Sequence, residues 1–244
     1  MSADRRILVT GANGVLGGAI ARQFLERDPA CRVWLGVRRG RDQAEALAAA
    51  FPQRAHLISL EVTRAEDWQS AISAIEAGAG PLSVLVNNAG GHDDALLATM
   101  RREQWDSVID GNLNAVFLGC QAAVGSMLRG RWGRIINVAS LSALHSPAGQ
   151  ANYAAAKAGV LGLTQSLAKE TARLGITVNA VCPGHIEGAP PSGWTEEQLQ
   201  AARRQTPMRR FARPEEIAAV VFFLASPEAS YMTGAALKLD GALV

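Results

Sequence analysis

Apolar runs rich in β-branched residues recur along the chain at 7–10, 33–37, 56–60, 84–87, 135–139, 177–181 and 236–239, separated by stretches long enough for helices. Short strands alternating with helical segments read as βαβ units. The run at 82–86 is apolar at nearly every position rather than at every second one, which suits a parallel strand covered on both faces. The prediction is an α/β, three-layer, doubly wound parallel sheet of about seven strands, with helices on both faces and right-handed crossovers. Near the carboxyl end, Pro214 opens a helix whose Ile217, Val220, Val221 and Leu224 recur at helical spacing and are expected in the core. Before it, Pro190, Pro191 and Gly193 break the pattern, and Thr195 offers an N-cap with Glu197 and Gln198 nearby. This excursion, 186–212, leaves the carboxyl end of a strand and is expected to be a substrate lid. No repeat, low-complexity tract or linker interrupts the pattern, so residues 1–244 are read as a single domain.

Composition narrows the function classes. A chain of 244 residues, 48% hydrophobic and 19% charged, can bury a large core. The net charge of +2, with dispersed basic residues, argues against nucleic acid or an anionic membrane as partner. Arg129, Arg131 and Arg134 form the tightest basic group and are expected on a solvated face. The polar start, Met1 to Arg6, precedes too few apolar residues for a signal peptide or a span, and a cytoplasmic location is the expectation. Three widely spaced cysteines, Cys31, Cys120 and Cys182, lack the spacing of a metal site and read as reduced packing residues; no metal is expected.

The first strand runs into Thr10-Gly11-Ala12-Asn13-Gly14-Val15-Leu16-Gly17-Gly18 and then a helix. A glycine turn there lets the backbone reverse sharply, and free N–H groups of Asn13, Gly14, Val15 and Leu16 at the helix start suit a pyrophosphate. The second strand ends in Val37-Arg38-Arg39, with no carboxylate to meet a ribose 2′-hydroxyl, so a 2′-phosphate and hence NADPH/NADP+ is favoured. Asn88-Ala89-Gly90 follows the fourth strand and is expected beside the first turn, where its side chain either fixes the loop or meets the cofactor.

Tyr153 and Lys157 are four residues apart on a helical segment and share a face, while Ser140 closes the fifth strand at the same sheet edge. A free phenol has a pKa of about 10, and an adjacent ammonium is expected to lower it. Tyr153 would then exchange a proton with a carbonyl or alcohol oxygen during hydride transfer, and Ser140 would hold that oxygen.

These stretches together, TGANGVLG, NNAG, NLNAVF, GRIINVAS, YAAAK and NAVCPG, resemble the short-chain dehydrogenase/reductase family, a Rossmann-fold family, over essentially all 244 residues. Within it, GQANYAAAKAG and GITVNAVCPG are most similar to 3-oxoacyl-acyl-carrier-protein reductases. The resemblance implies that Ser140, Tyr153 and Lys157 are catalytic, and that Asn112 completes a tetrad by holding a water in a proton relay. It also implies that Lys157 binds the nicotinamide ribose, that Asn88, Ala89 and Gly90 line the cofactor, that Glu61 and Val62 meet the adenine, and that Pro183, Gly184 and Ile186 sit at the carboxamide. The chain departs from the family pattern at Val15 (glycine), Glu61 (aspartate) and Gly188 (threonine). A β-branched residue at 15 resists positive φ, so Gly14 is expected to supply the flexibility one residue earlier, and Val15→Gly is expected to tighten cofactor binding modestly.

The implied activity is NADPH-dependent reduction of a 3-oxoacyl thioester, carried on acyl carrier protein, in fatty-acid or polyketide-like synthesis, by a homotetramer. Arg129 and Arg131 are expected near the site entrance, where they would attract the acidic carrier. Alternatives are a carbonyl reductase or alcohol dehydrogenase for a small free metabolite, and a non-catalytic cofactor-binding subunit.

Overall fold

The computed structural model describes residues 4–189 and 193–244. The first three residues of the polar start, and the breakers Pro190 and Pro191, lie outside the described residues. The chain alternates β1 (Arg6–Thr10), α1 (Val15–Arg27), β2 (Arg32–Val37), α2 (Asp42–Ala50), β3 (Ala55–Ser59), α3 (Ala65–Ala79) and β4 (Val84–Asn87). It continues through α4 (Arg102–Ile109), α5 (Ala115–Gly130), β5 (Gly133–Val138), α6 (Ala151–Thr171), β6 (Ile176–Pro183), α7 (Glu196–Gln205), α8 (Pro214–Leu224) and β7 (Ala236–Leu239). All seven strands pair in parallel in the order β3-β2-β1-β4-β5-β6-β7. The expected doubly wound sheet is therefore present, and its order reverses between β1 and β4, leaving a crevice beyond the strands' carboxyl ends.

Alternate residues of one strand face opposite layers, and both layers are apolar. Ile7 and Val9 of β1 pack with Phe24, Leu35 and Val221 under α1, α2 and α8, where the Phe24 and Phe222 rings lie 5.4 Å apart. Leu8 between them points the other way, to Trp68, Leu85, Met127 and Ile135 under α3, α5 and α6. Only the edge strands β3 and β7 alternate between covered and exposed positions, which explains why the central strands read as unbroken apolar runs.

After β6 the chain leaves the sheet. Ile186 bridges to Ala212, and the His185 ring lies between Trp194 and Phe211 at 5.3 and 5.1 Å. Helix α7 begins at Thr195 in a reciprocal box with Gln198, the capping pattern expected there. Arg134 departs from its expected solvated face. It is 3% exposed, lies over the Trp132 ring at 4.3 Å, and donates to the carbonyls of Gly133 and Gly175 at the amino-terminal edge of the sheet.

Candidate active site

The glycine turn is built by close contact. Gly11 has φ of 65°, a left-handed conformation that favours glycine, and a side chain there would come within 3.0 Å of the Ala89 Cα. A Cβ on Gly17, in the first turn of α1, would collide with the Gly11 carbonyl oxygen and stand 2.7 Å from Asn88 Nδ2. Gly14 is the N-cap and supplies no side-chain cap, so the first N–H groups of α1 remain free for an anion.

Val15 does not act as expected. It is the first residue of α1, and within the described turn only Gly11 has positive φ; Gly14 is extended at −83° and adds no left-handed flexibility. The Val15 side chain faces the loop after β6, where a Cβ on Gly188 would sit 3.5 Å from Val15 Cγ1. Gly188 itself has φ of 76°, which a threonine would adopt only with strain. Two departures from the family pattern therefore face each other, and a side chain at 188 would rest on Val15.

A cleft of about 710 Å³ runs from the end of β2 past the turn to α4. Gly11, Asn13, Gly14 and Leu16 line one wall, Asn88, Ala89 and Gly90 another, and Arg38, Arg39, Glu61 and Val62 one end. Val15, Pro183, Gly184 and Ile186 do not line it. Pro183 and Gly184 are engaged with Leu239 of β7, and Ile186 with Ala212. Asn13 also has a structural task, since its Oδ1 accepts from the Gln43 and Ala44 N–H groups at the start of α2. Arg38 pairs with Glu61 at 3.2 Å, whereas Arg39 is exposed and has no ion pair among the described residues. Burial pushes the Glu61 carboxyl up, but hydrogen bonds from Thr63 and Arg38 outweigh it and hold the group below its ordinary value. Asn88 is fixed to the turn: its Nδ2 donates to the Thr10 carbonyl at 2.9 Å, and Thr10 Oγ1 accepts from the Asn88 and Ala89 N–H groups.

Of the expected tetrad only Asn112 lines the cleft; Ser140, Tyr153 and Lys157 are grouped beside that end, with Lys157 next to Gly90 and the Tyr153 ring 6.0 Å from that of His92. Ser140, just past β5, starts a short 3₁₀ turn, Leu141–Ala143, and its Oγ accepts from Ser142 N at 3.1 Å. Tyr153 and Lys157 stand one turn apart on α6, with Lys157 Nζ 5.6 Å from the Tyr153 ring centre and donating to the Val138 carbonyl at 2.9 Å. Asn112 lies in a π-helical turn, Asp110–Asn114, between α4 and α5, a distortion frequent at functional sites. Its Nδ2 donates to the Gly91 and Val108 carbonyls, while its Oδ1 is buried without a partner among the described residues. That acceptor and the Lys157 ammonium both abut Gly90. A buried acceptor left open beside an ammonium is suited to a bridging water.

The electrostatics correct one expectation. Burial raises the Tyr153 phenol above its ordinary value, a hydrogen bond with Ser140 opposes this, and the nearby Asp94 charge adds to it. Lys157 is not among the groups that set the phenol, and its own ammonium is pushed down by burial, to about 8.

Two further groups stand elsewhere than the sequence suggested or escaped it. Arg129 pairs with Glu76 of α3 at 2.5 Å, and with Arg131 it lies where α5 ends and β5 begins, at the edge of the sheet opposite the cleft. The expected place at the site entrance is thereby overturned, because α5 runs antiparallel to the strands. His92 and Asp93, in the loop after β4, line the cleft and were not singled out by sequence. Their position directly after Asn88-Ala89-Gly90-Gly91 was the available signal. Among the described residues no His, Cys, Asp and Glu cluster is placed to hold a metal, and no helix is long and apolar enough to cross a membrane.

Comparison with known proteins agrees with this geometry. A family model described as enoyl-(acyl carrier protein) reductase matches residues 11–243. The 3-oxoacyl-[acyl-carrier-protein] reductase of Vibrio cholerae is 41% identical over 236 residues, 97% of this chain and 96% of its own. Nodulation protein G of Azospirillum brasilense is 41% identical over 249 residues with the same coverage, and the Thermotoga maritima reductase is 39% identical over 237. With the parallel sheet, the glycine turn and the Ser140, Tyr153 and Lys157 grouping already in place, the chain belongs to the short-chain dehydrogenase/reductase family, oxidoreductases that use a nicotinamide cofactor on a CH–OH/C=O pair.

Proposed function

We propose that this chain is an NADPH-dependent reductase that converts a 3-oxoacyl thioester, carried on acyl carrier protein, to the 3-hydroxyacyl product. The observation that carries the reading is the meeting of Ser140, Tyr153 and Lys157 with the open Asn112 Oδ1, which itself lines one end of a cleft whose other end holds Arg38 and Arg39. The Gly14 N–H is engaged with the Gly11 carbonyl at 3.0 Å, so the Val15 and Leu16 N–H groups at the start of α1 would hold the pyrophosphate, and Arg39, less engaged than Arg38, the 2′-phosphate. Asn88, Ala89, Gly90 and Lys157 would line the nicotinamide ribose. When bound, the reduced nicotinamide supplies a hydride, with its two electrons, to the carbonyl carbon.

The protein's part is to manage the oxygen. Ser140 donates a hydrogen bond to it, and Tyr153 transfers its phenolic proton to it as the charge develops. A phenol raised by burial is protonated at neutral pH, so Tyr153 stands ready as an acid, which suits reduction. Lys157 and Asn112, both beside Gly90, hold the water that returns a proton to Tyr153.

The remaining elements of the proposal have separate supports. A lid at 186–212 is supported by its place beyond the carboxyl end of β6. A homotetramer, implied by the resemblance, would cover the open edge of β7 and the exposed Phe117, Phe223 and Tyr231. A cytoplasmic setting suits three buried, unpaired cysteines. NADPH and NADH oxidation would be followed with acetoacetyl thioesters and with free ketones, beside Tyr153→Phe. Thioester-dependent NADPH oxidation that disappears in Tyr153→Phe is expected; turnover undiminished in that variant defeats the mechanism.

A further inference from the structure

We propose that His92, oriented by Asp94, binds the thioester carbonyl of the substrate and so selects a 1,3-dicarbonyl unit over a simple ketone; the inference rests on the proposed 3-oxoacyl function. The backbone on both sides of His92 is anchored by residues around the tetrad. Asn112 Nδ2 holds the Gly91 carbonyl at 2.7 Å, and Asn152 Nδ2, next to Tyr153, holds the Asp93 carbonyl at 3.0 Å. One step further, Ala95 N donates to the Gly149 carbonyl at 2.9 Å.

The side chain is oriented as well. His92 Nδ1 lies 3.1 Å from Asp94 Oδ1, and Asp94 Oδ2 accepts from Gln150 Nε2 at 2.8 Å. Gln150 Oε1 accepts from Ser142 Oγ at 2.9 Å, and Ser142 N donates to Ser140 Oγ at 3.1 Å. Hydrogen bonds thus link the imidazole through Asp94, Gln150 and Ser142 to the serine expected to hold the reacting oxygen. The ring lines the cleft, meets the Tyr153 ring edge-on at 6.0 Å, and makes no hydrogen bond through Nε2 among the described residues.

This arrangement matches the chemistry of a 3-oxoacyl thioester. Its second carbonyl is two carbon–carbon bonds from the one being reduced, so a substrate held by Ser140 and Tyr153 extends that oxygen to the neighbouring wall. In the imidazolium form Asp94 takes Nδ1–H, and Nε2–H is left to donate to that oxygen. A monoketone has nothing to offer there, and a site built to hydrogen-bond a polar group discriminates against substrates without it.

The test compares S-acetoacetyl-N-acetylcysteamine with 2-heptanone in wild type, His92→Leu, His92→Gln and Asp94→Asn. His92→Leu is expected to raise KM for the thioester about tenfold, the equivalent of about 1.4 kcal/mol, with kcat changed less than threefold and 2-heptanone unaffected. His92→Gln, which keeps a donor, should recover most of the loss, and Asp94→Asn should fall between. Calorimetric titration of the thioester into Tyr153→Phe protein, with and without His92→Leu, should show the same tenfold change in Kd without turnover. NADPH affinity, read by fluorescence, should not move. Equal effects on both substrates, or an unchanged thioester Kd, would overturn the role of His92 and leave the proposed function standing. Wild-type protein that reduces the ketone alone would overturn both.

Discussion

Replacing Lys157 by methionine should stabilise the fold at neutral pH while abolishing turnover. The ammonium is 3% exposed, and burial lowers it from 10.5 to about 8. A difference of about 2.5 units at about 1.4 kcal/mol each means that the charged form costs the folded state about 3 kcal/mol. The sign follows from proton counting. Below pH 8 both folded and unfolded chains carry the proton, and the full cost is present. Between about 8 and 10.5 the folded chain releases it while the unfolded chain keeps it, so wild-type stability rises with pH, and above 10.5 the cost is gone. Methionine removes the charge at similar volume but strands the Val138 carbonyl that Lys157 satisfies, a loss of about 1 kcal/mol. The net gain at pH 7 is about 2 kcal/mol, or roughly 4–8 °C in Tm for a chain of this size. Thermal unfolding followed by circular dichroism from pH 7 to 10.5, at equal protein concentration, measures it. The advantage should shrink above pH 8 and reverse near pH 10, where the remaining cost falls below about 1 kcal/mol. A lower Tm for the variant at pH 7, or a gain independent of pH, would refute the reasoning.

Other substitutions test the cofactor end. Gly17→Ala drives a methyl into the Gly11 carbonyl, and it should lower stability by about 1–3 kcal/mol and weaken NADPH binding in a fluorescence titration. Val15→Gly puts glycine in the first turn of α1 and removes the side chain that faces Gly188; it should destabilise by about 1 kcal/mol and leave NADPH affinity no tighter, whereas a tighter Kd would restore the view that valine obstructs the cradle. Arg39→Ala should raise the NADPH Kd about tenfold, from loss of a charge-assisted bond, with NADH unchanged. Arg38→Ala should cost less, since that guanidinium is already shared with Glu61; equal losses would remove the distinction.

Much of this protein was legible because its signals are local. Strand alternation, the turn at Gly11, the Thr195 cap and the four-residue spacing of Tyr153 and Lys157 all act through neighbours along the chain, and each was found in place. Asn112 was legible only through resemblance, because nothing in its surroundings announces a π-helical turn or an unpartnered oxygen. A buried string from Asn87 through Asn137 to Thr164, joining β4, β5 and α6, went unread because its members are distant in sequence.

By itself, then, the sequence determined the layered sheet, the site edge and the chemical groups available there, since hydrophobic period and short-range spacing encode these directly. Tertiary structure alone decided what those groups experience. Burial lifts the Tyr153 phenol and lowers the Lys157 ammonium, α5 carries Arg129 to the far edge, and Val15 faces Gly188 across 173 residues of chain. Desolvation and contact depend on which distant segments pack together, and no periodicity along the chain records that.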